Sequence, residues 1–339
     1  VLPGSRPSGA ELDDGQDPEQ EQRAEDVRAR IDVLSEIPAG WRLALRRWGA
    51  MNRTHRRKLE AGTAPSPADE YLLYQTLLGT LPPGALDEAA LGAWRERIER
   101  YVVKAAREAK AHTSWISPNE EYEGALAGFV RALLGRTQPN PFLDDLRAQA
   151  ERVAWFGALN SLTMTAIKLA APGVPDFYQG TELVDLSLVD PDNRRAVDFA
   201  RRSRLLDELA EVRDPGALLA APQDGRAKLW LIWRLLGLRR RMPELFRDGG
   251  YQPLAAEGAR AAHVLAFART HASGTLVVVA GRLYAKMLGA EAGRLPIADA
   301  WEDTALRLPP RLARLENVLT GERLDADGGA LALARACGR

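Results

Sequence analysis

From residue 24 to residue 171 the apolar positions recur at helical spacing. In the segment Ala24 to Leu34, Val27, Ile31 and Leu34 stand at i, i+4 and i+7, which lines one face of a helix. Glu25 and Asp26 at its start suit the positive end of the helix dipole. Pro38-Ala-Gly40 predicts the end of this helix, and Trp41 to Met51 predicts a second one with a basic face of Arg42, Arg46 and Arg47. Asn52 to Pro67 reads as basic and then loop-like. Helices are predicted again over Ala68 to Leu81, stopped by Pro82-Pro-Gly84, and over Leu91 to Ala111 and Glu121 to Leu134. No run between residues 23 and 111 reads as a strand. Helices alone over this length predict a helical unit, not consecutive βα pairs.

Pro139-Asn-Pro141 marks a joint, and beyond it Leu143 to Ala171 is the longest helical run. Its apolar residues, among them Val153, Phe156, Leu159, Met164 and Leu169, are spread nearly all round, so the helix is predicted to be buried. Pro172 and Pro175, flanking Gly173, break the run. Val174 to Tyr178 then reads as a short extended strand, stopped by Gly180. Helices return at Ala200 to Val212 and at Lys228 to Met242, the latter ended by Pro243. After Leu245 the texture changes. Ala262 to Arg269 and Gly274 to Ala280 read as strands joined through His271-Ala-Ser-Gly, a hairpin signal. Short runs at Thr304 to Leu308, Leu315 to Leu319 and Ala330 to Leu333 fill out a small antiparallel β domain. The predicted divisions are 1–22, 23–140, 141–244 and 245–339.

Composition narrows the partners. With 46 basic and 46 acidic residues the formal net charge is +0, so nothing points to nucleic acid or an anionic membrane. No apolar run approaches the roughly 20 residues of a membrane span. The single cysteine, Cys337, cannot form an internal disulfide, which is compatible with a reducing cytoplasm. Four histidines are scattered, and there is no CxxC, phosphate loop or GxGxxG; neither metal nor cofactor is expected. Residues 1 to 22 are polar and offer almost nothing to bury, so they read as disordered or as a foreign tail.

The chemistry gathers after the long helix. Asp176, Glu182, Asp185, Asp190, Asp192 and Asp198 fall close to Arg194 and Arg195, interleaved with Phe177, Tyr178 and Gln179. A strand that ends in aromatics, an amide and carboxylates is how a β/α barrel builds the mouth of a site. Aromatic faces stack on sugar rings, while carboxylates and arginine bind hydroxyls. A charged surface loop held by internal ion pairs accounts for the same residues, and composition leaves both readings open. A second candidate is His112-Thr-Ser-Trp-Ile-Ser-Pro-Asn-Glu-Glu-Tyr-Glu123, whose polar loop either presents Trp115 to a sugar or uses it to seal the helical unit. Arg239-Arg-Arg241 reads as a solvated helix end.

Four strings, in order, carry a resemblance to the maltooligosyl trehalose synthases of the α-amylase superfamily. They are Glu25-Asp-Val-Arg-Ala-Arg30 with Leu34-Ser-Glu-Ile-Pro38; Glu70-Tyr-Leu-Leu-Tyr-Gln-Thr-Leu77; Thr113-Ser-Trp115 with Pro118-Asn-Glu-Glu-Tyr-Glu123; and Pro172-Gly-Val-Pro-Asp-Phe-Tyr-Gln-Gly-Thr-Glu182 with Ser187 to Arg195. The resemblance runs from about residue 23 onward. It implies a mixed α and β fold: a helical insertion and the last βα unit of an incomplete (β/α)8 amylase-type barrel, followed by a small antiparallel β-sandwich domain. It also implies a retaining isomerisation of the reducing-end α-1,4 bond of a maltooligosaccharide to an α,α-1,1 bond. Such chemistry sets two carboxyl groups about 5–5.5 Å apart and keeps water from the captured glucose.

The family's nucleophile and general acid precede anything matched here. Its third catalytic carboxylate lies in a His-Asp-Thr-Lys-Arg string, of which only Arg23 is present, with Glu19 and Gln20 at the His and Asp positions. The chain is therefore expected to be a truncated, C-terminal portion with no catalytic residue, inactive alone and needing a separate N-terminal barrel fragment as partner. Expected contacts to an α-1,4-glucan are Trp115, Tyr178, Gln179, Glu182, Asp185, Asp192 and Arg194. A non-catalytic glucan-binding or scaffold protein, and a fragment of another amylase-superfamily glucanotransferase, are the alternatives. Exposed apolar surface on the helix from Leu143, and on a lone strand edge, would promote association.

Overall fold

Helix α1 (Glu25–Asp32) lies where two other helices meet, and glycine admits it to both. In α3 (Pro67–Thr80) a Cβ on Gly79 would stand 2.9 Å from Val27, and in α6 (Pro141–Ala170) one on Gly157 would stand 2.8 Å from the Arg30 Cα. At Gly157 the neighbour is backbone, which leaves no room for a side chain, while at Gly79 the neighbours are the side chains of Val27 and Ile31. The Arg30 stem lies on Gly157, and its guanidinium donates to the carbonyls of Leu81 at 2.8 Å and Gly79 at 3.4 Å. Those carbonyls belong to the end of α3, where helical partners run out. Burial pulls the Arg30 pKa down to about 10, against the opposing pull of Asp26. The computed structural model describes residues 23–60, 62–135, 139–289, 291–309, 312–326 and 329–338; the expectations for 1–22 lie outside the described residues.

Around α1 and α3 pack α2 (Pro38–Met51), α4 (Glu88–Ala109), α5 (Glu120–Leu133) and the first half of α6. Aromatic edges organise this core: the Trp48 ring lies 5.3 Å from Tyr74 and 5.6 Å from Phe142, in the edge-to-face geometry that ring quadrupoles favour. Pro38, expected to end a helix, instead opens α2 at its first turn, where its missing N–H costs nothing. A three-residue hairpin, β1 (Arg57–Leu59) with β2 (Gly62–Ala64), interrupts a stretch expected to be without strands. Its strands are too short to leave a period in the sequence.

The 30 residues of α6 contribute to several apolar clusters. Residues up to Val153 belong to the helical core, while Trp155, Phe156 and Leu159 pack with the C-terminal sheets. Among the described residues Met164 is its one large apolar side chain that is exposed, so the apolar surface expected on this helix is already covered. Helices α7 (Phe199–Ala210), α8 (Arg226–Arg241) and α9 (Pro243–Asp248) follow, with Pro243 starting α9 as well as ending α8.

The C-terminal region is antiparallel throughout the described residues. Strands β3 (Gly250–Pro253), β5 (Val264–His271) and β6 (Gly274–Gly281) form one sheet; β4 (Ala256–Glu257), β7 (Ala305–Arg307) and β10 (Ala330–Ala332) form a second. Strands β8 (Arg314–Glu316) and β9 (Arg323–Asp325) pair separately. Opposite His271 stands Gly274, the two-residue turn the sequence signals. The fold is thus mixed helix and strand with small antiparallel sheets. The strand expected at Val174 to Tyr178 pairs with no other strand among the described residues: extended backbone without a neighbouring ladder is not a strand.

Candidate functional site

The end of α6 is fixed first. Arg239 donates to the carbonyls of Leu169 at 2.8 Å and Gly173 at 3.0 Å, and Arg269 donates to Ala170 at 3.2 Å. Cations suit the negative end of a helix dipole. Desolvation, and then the neighbouring Arg269 charge, lower the Arg239 pKa. Arg239 is therefore not the solvated arginine expected from its run of three; it sets where the loop begins. Lys168 then pairs with Glu25 at 2.7 Å and lies 4.0 Å from the centre of the Phe177 ring, which turns Phe177 inward. Tyr178 and Gln179 remain outside, Tyr178 with 72 % of its surface exposed.

From Gly180 onward the carboxylates face their own backbone. Glu182 accepts from Gly180 N at 3.0 Å and pairs with Arg202 at 3.1 Å. Asp185 accepts from the Ser187 N–H and hydroxyl. Asp192 accepts from Leu188 N at 2.8 Å and takes both arms of Arg97 at 2.8 and 2.9 Å. Arg194 ion-pairs with Asp190 but stays largely in solvent. Of the seven residues expected to contact sugar, Glu182, Asp185 and Asp192 are thus bonded to neighbouring protein groups, Tyr178 and Gln179 are open, and Arg194 is exposed while paired with Asp190.

Two helices hold the loop from below. On α4, Arg97 also donates to Leu186 O at 2.8 Å and Lys104 to Asp190 O at 2.7 Å. On α1, Asp26 accepts from Asp185 N at 2.8 Å and from Lys228 at 2.9 Å, while Ser161 donates to its other oxygen. Asp26 and Lys228 are buried, with 3 % and 2 % of their surfaces exposed. Gly225, at the start of α8 with φ 85°, passes so close that a Cβ would lie 2.9 Å from Val184 N. Sequence reading missed Asp26, Arg97 and Lys228, because their partners lie far away along the chain.

Burial alone would raise the Asp192 pKa, but Arg97, the Leu188 N–H and Arg195 outweigh it and hold the carboxyl below its ordinary value. A depressed carboxylate pKa contributes stability that is present above the unfolded-state value and is lost as pH falls through the folded one. Acidification below about pH 4, the ordinary carboxylate range, is therefore expected to release residues 186–192. Hydrogen exchange at the Leu188 amide checks this: its protection should fall over that window before global unfolding, and an unchanged amide would exclude Asp192 as the holder.

Trp115 stands in the second candidate segment, with 56 % of its surface exposed. The Arg107 guanidinium lies 4.8 Å from its ring centre and grips Glu123 through two 2.7 Å bonds. Hydrogen bonding to Arg107 holds the Glu123 carboxyl below its usual range against partial burial. Thr113 joins the grip at 2.6 Å. His112, the first residue of this segment, stacks on Tyr122 at 4.6 Å. No group of three or more potential metal ligands occurs among the described residues, and no helix among them is long and apolar enough to cross a membrane.

The helical unit, the long shared helix and the antiparallel sheets together define a class of solved proteins, the maltooligosyltrehalose synthases. The synthase from Arthrobacter ramosus matches with a TM-score of 0.70 and 34 % identity over 92 % of this chain and 35 % of its own. A hypothetical maltooligosyl trehalose synthase from Sulfolobus tokodaii matches with a TM-score of 0.65 and 27 % identity over 91 % of this chain and 36 % of its own. A curated Mycobacterium tuberculosis relative named as a maltooligosyl trehalose synthase is 36 % identical over 247 residues, 73 % of this chain and 28 % of that protein. No protein-family model matches. The chain belongs to the maltooligosyl trehalose synthase family, and it spans about a third of the length of these relatives.

Proposed function

We propose that the chain is the C-terminal portion of a maltooligosyl trehalose synthase, a cytoplasmic enzyme of trehalose biosynthesis that turns the reducing-end α-1,4 bond of a maltooligosaccharide into an α,α-1,1 bond. The reaction is a retaining intramolecular transglycosylation. The released glucose is kept in place and attacks through its anomeric hydroxyl, so a fixed wall around it matters as much as the reacting groups. This chain supplies that wall. The observation carrying the reading is the loop from Tyr178 to Arg195. Asp26, Arg97 and Lys104 clamp it from below, while Tyr178 and Gln179 are left open to a sugar and Arg194, paired with Asp190, is exposed. Glu182, Asp185 and Asp192 act chiefly by holding the loop in shape.

The nucleophile, the general acid and the third carboxylate are assigned to barrel strands of an N-terminal barrel fragment, not to residues of this chain. The segment after α6 stands as part of the last βα unit of that barrel, with the antiparallel region as the sandwich beside it. Maltopentaose incubated with the purified chain should keep its reducing end. Adding a fragment of a family member that carries the early barrel strands should convert it to a non-reducing product. Conversion by the unaided chain would overturn the assignment of the carboxylates. Absence of calorimetric heat with maltopentaose would overturn the glucan reading.

A further inference from the structure

The basic face of α2 has no part in the loop site. Between Glu36 and Glu60 lie seven arginines and lysines and no acid, in a chain whose formal net charge is +0. Two of the seven are held by carboxylates of the chain: Arg47 forks onto Asp145 through bonds of 2.8 and 3.1 Å, and Arg56 reaches Glu70 at 2.8 Å. The other five, Arg42, Arg46, Arg53, Arg57 and Lys58, are exposed and form no ion pair or side-chain hydrogen bond among the described residues.

Trp41, Ala44 and Trp48 turn the inner side of α2 to the core, so Arg42 and Arg46, one turn apart, share the outer side with Leu43. Leu43 has 59 % of its surface exposed, and Met51, at the end of the helix, 39 %. Arg56 donates to Gly49 O at 3.4 Å, which holds the β1–β2 hairpin, with Arg57 and Lys58, beside the last turns of α2. Like charges one turn apart weaken a helix, so stability does not account for this face. A patch of one sign in a neutral molecule attracts a ligand of the other.

Guanidinium forks take a carboxylate by both oxygens, as Arg47 takes Asp145 beside this face. A single-stranded nucleic acid stacks its bases on exposed aromatic rings, and the tryptophans of α2 are buried. A helix lying on a membrane inserts a free apolar side, and that side of α2 belongs to the core. Carboxylates accompanied by an apolar residue fit what remains. We propose that the outer face of α2, with the β1–β2 hairpin, docks an acidic segment of a partner protein. Its carboxylates lie on Arg42, Arg46 and the hairpin cations, and an apolar side chain lies on Leu43. This surface is independent of the glucan reading.

Calorimetric titration of the intact chain with a synthetic peptide of glutamates and interspersed leucines tests it. Binding should be measurable at low salt and weaken as salt screens the charges. Arg42→Glu with Arg46→Glu should lower the affinity about tenfold or more. Leu43→Ser should lower it about threefold and leave the binding of an all-glutamate peptide unchanged. Arg240→Glu with Arg241→Glu, the same change of charge at the exposed end of α8, should bind as the parent does. Thermal midpoints close to the parent's exclude a folding explanation. A parent that does not bind the peptide overturns the proposal, and so does an equal loss in the α8 variant, which marks unspecific attraction. Duplex DNA or phosphatidylglycerol vesicles bound more tightly than the peptide would make phosphate the ligand and overturn it too. Binding that emerges only once residues 1–22, themselves rich in acids, are removed would make the chain's own acids the occupant instead of a partner's.

Discussion

Replacing Asp26 by alanine is expected to remove about 3–5 kcal/mol of stability, the cost of leaving a buried partner charge uncompensated. Asp26 binds Lys228, the Asp185 N–H and the Ser161 hydroxyl at once, so its loss unties α1, α6, α8 and the loop together. The ammonium of Lys228 would keep only a 3.5 Å contact to Leu183 O. Urea unfolding followed by tryptophan fluorescence measures the loss. Substituting both partners, Asp26→Leu with Lys228→Met, should recover part of it, since an apolar pair carries no desolvation cost. A loss below about 1 kcal/mol, the range of surface pairs, would mean that the pair is not the fastening it is taken to be.

Arg269→Met is expected to cost at least about 3 kcal/mol. Arg269 is buried and reaches five carbonyls: Ala170, Leu245, Phe246, Gly249 and Gly250. Each buried acceptor left without a donor costs roughly 1–3 kcal/mol. Arg269→Lys should rescue little, because one ammonium cannot span groups that the guanidinium fork reaches on several sides. The thermal midpoint of both variants against the parent checks this. A lysine variant as stable as the parent would show that charge alone matters at the end of α6.

The shared lesson of these two residues is where sequence reading reaches its limit. Nothing near Asp26 announces Lys228, 202 positions away. Arg269 lies inside a strand pattern, where an arginine reads as outward-facing. The carboxylates after Tyr178 were legible as a cluster, yet two uses of such a cluster, binding sugar and bonding its own backbone, share one composition. Packing decided for Glu182, Asp185 and Asp192 by placing donors within reach.

The sequence by itself determined the run of helices to Ala170 and the hairpin at His271. Both are local patterns: apolar spacing in one, turn residues between β-branched runs in the other. It also determined the family, through strings of residues that survive whatever surrounds them. Only the tertiary structure decided that α1 slots between Gly79 and Gly157, that Pro38 begins a helix, and which polar side chains of the loop face solvent. The physical reason is distance along the chain. A side chain's neighbours across a packed interface are set by how helices meet in space, and no periodicity records that.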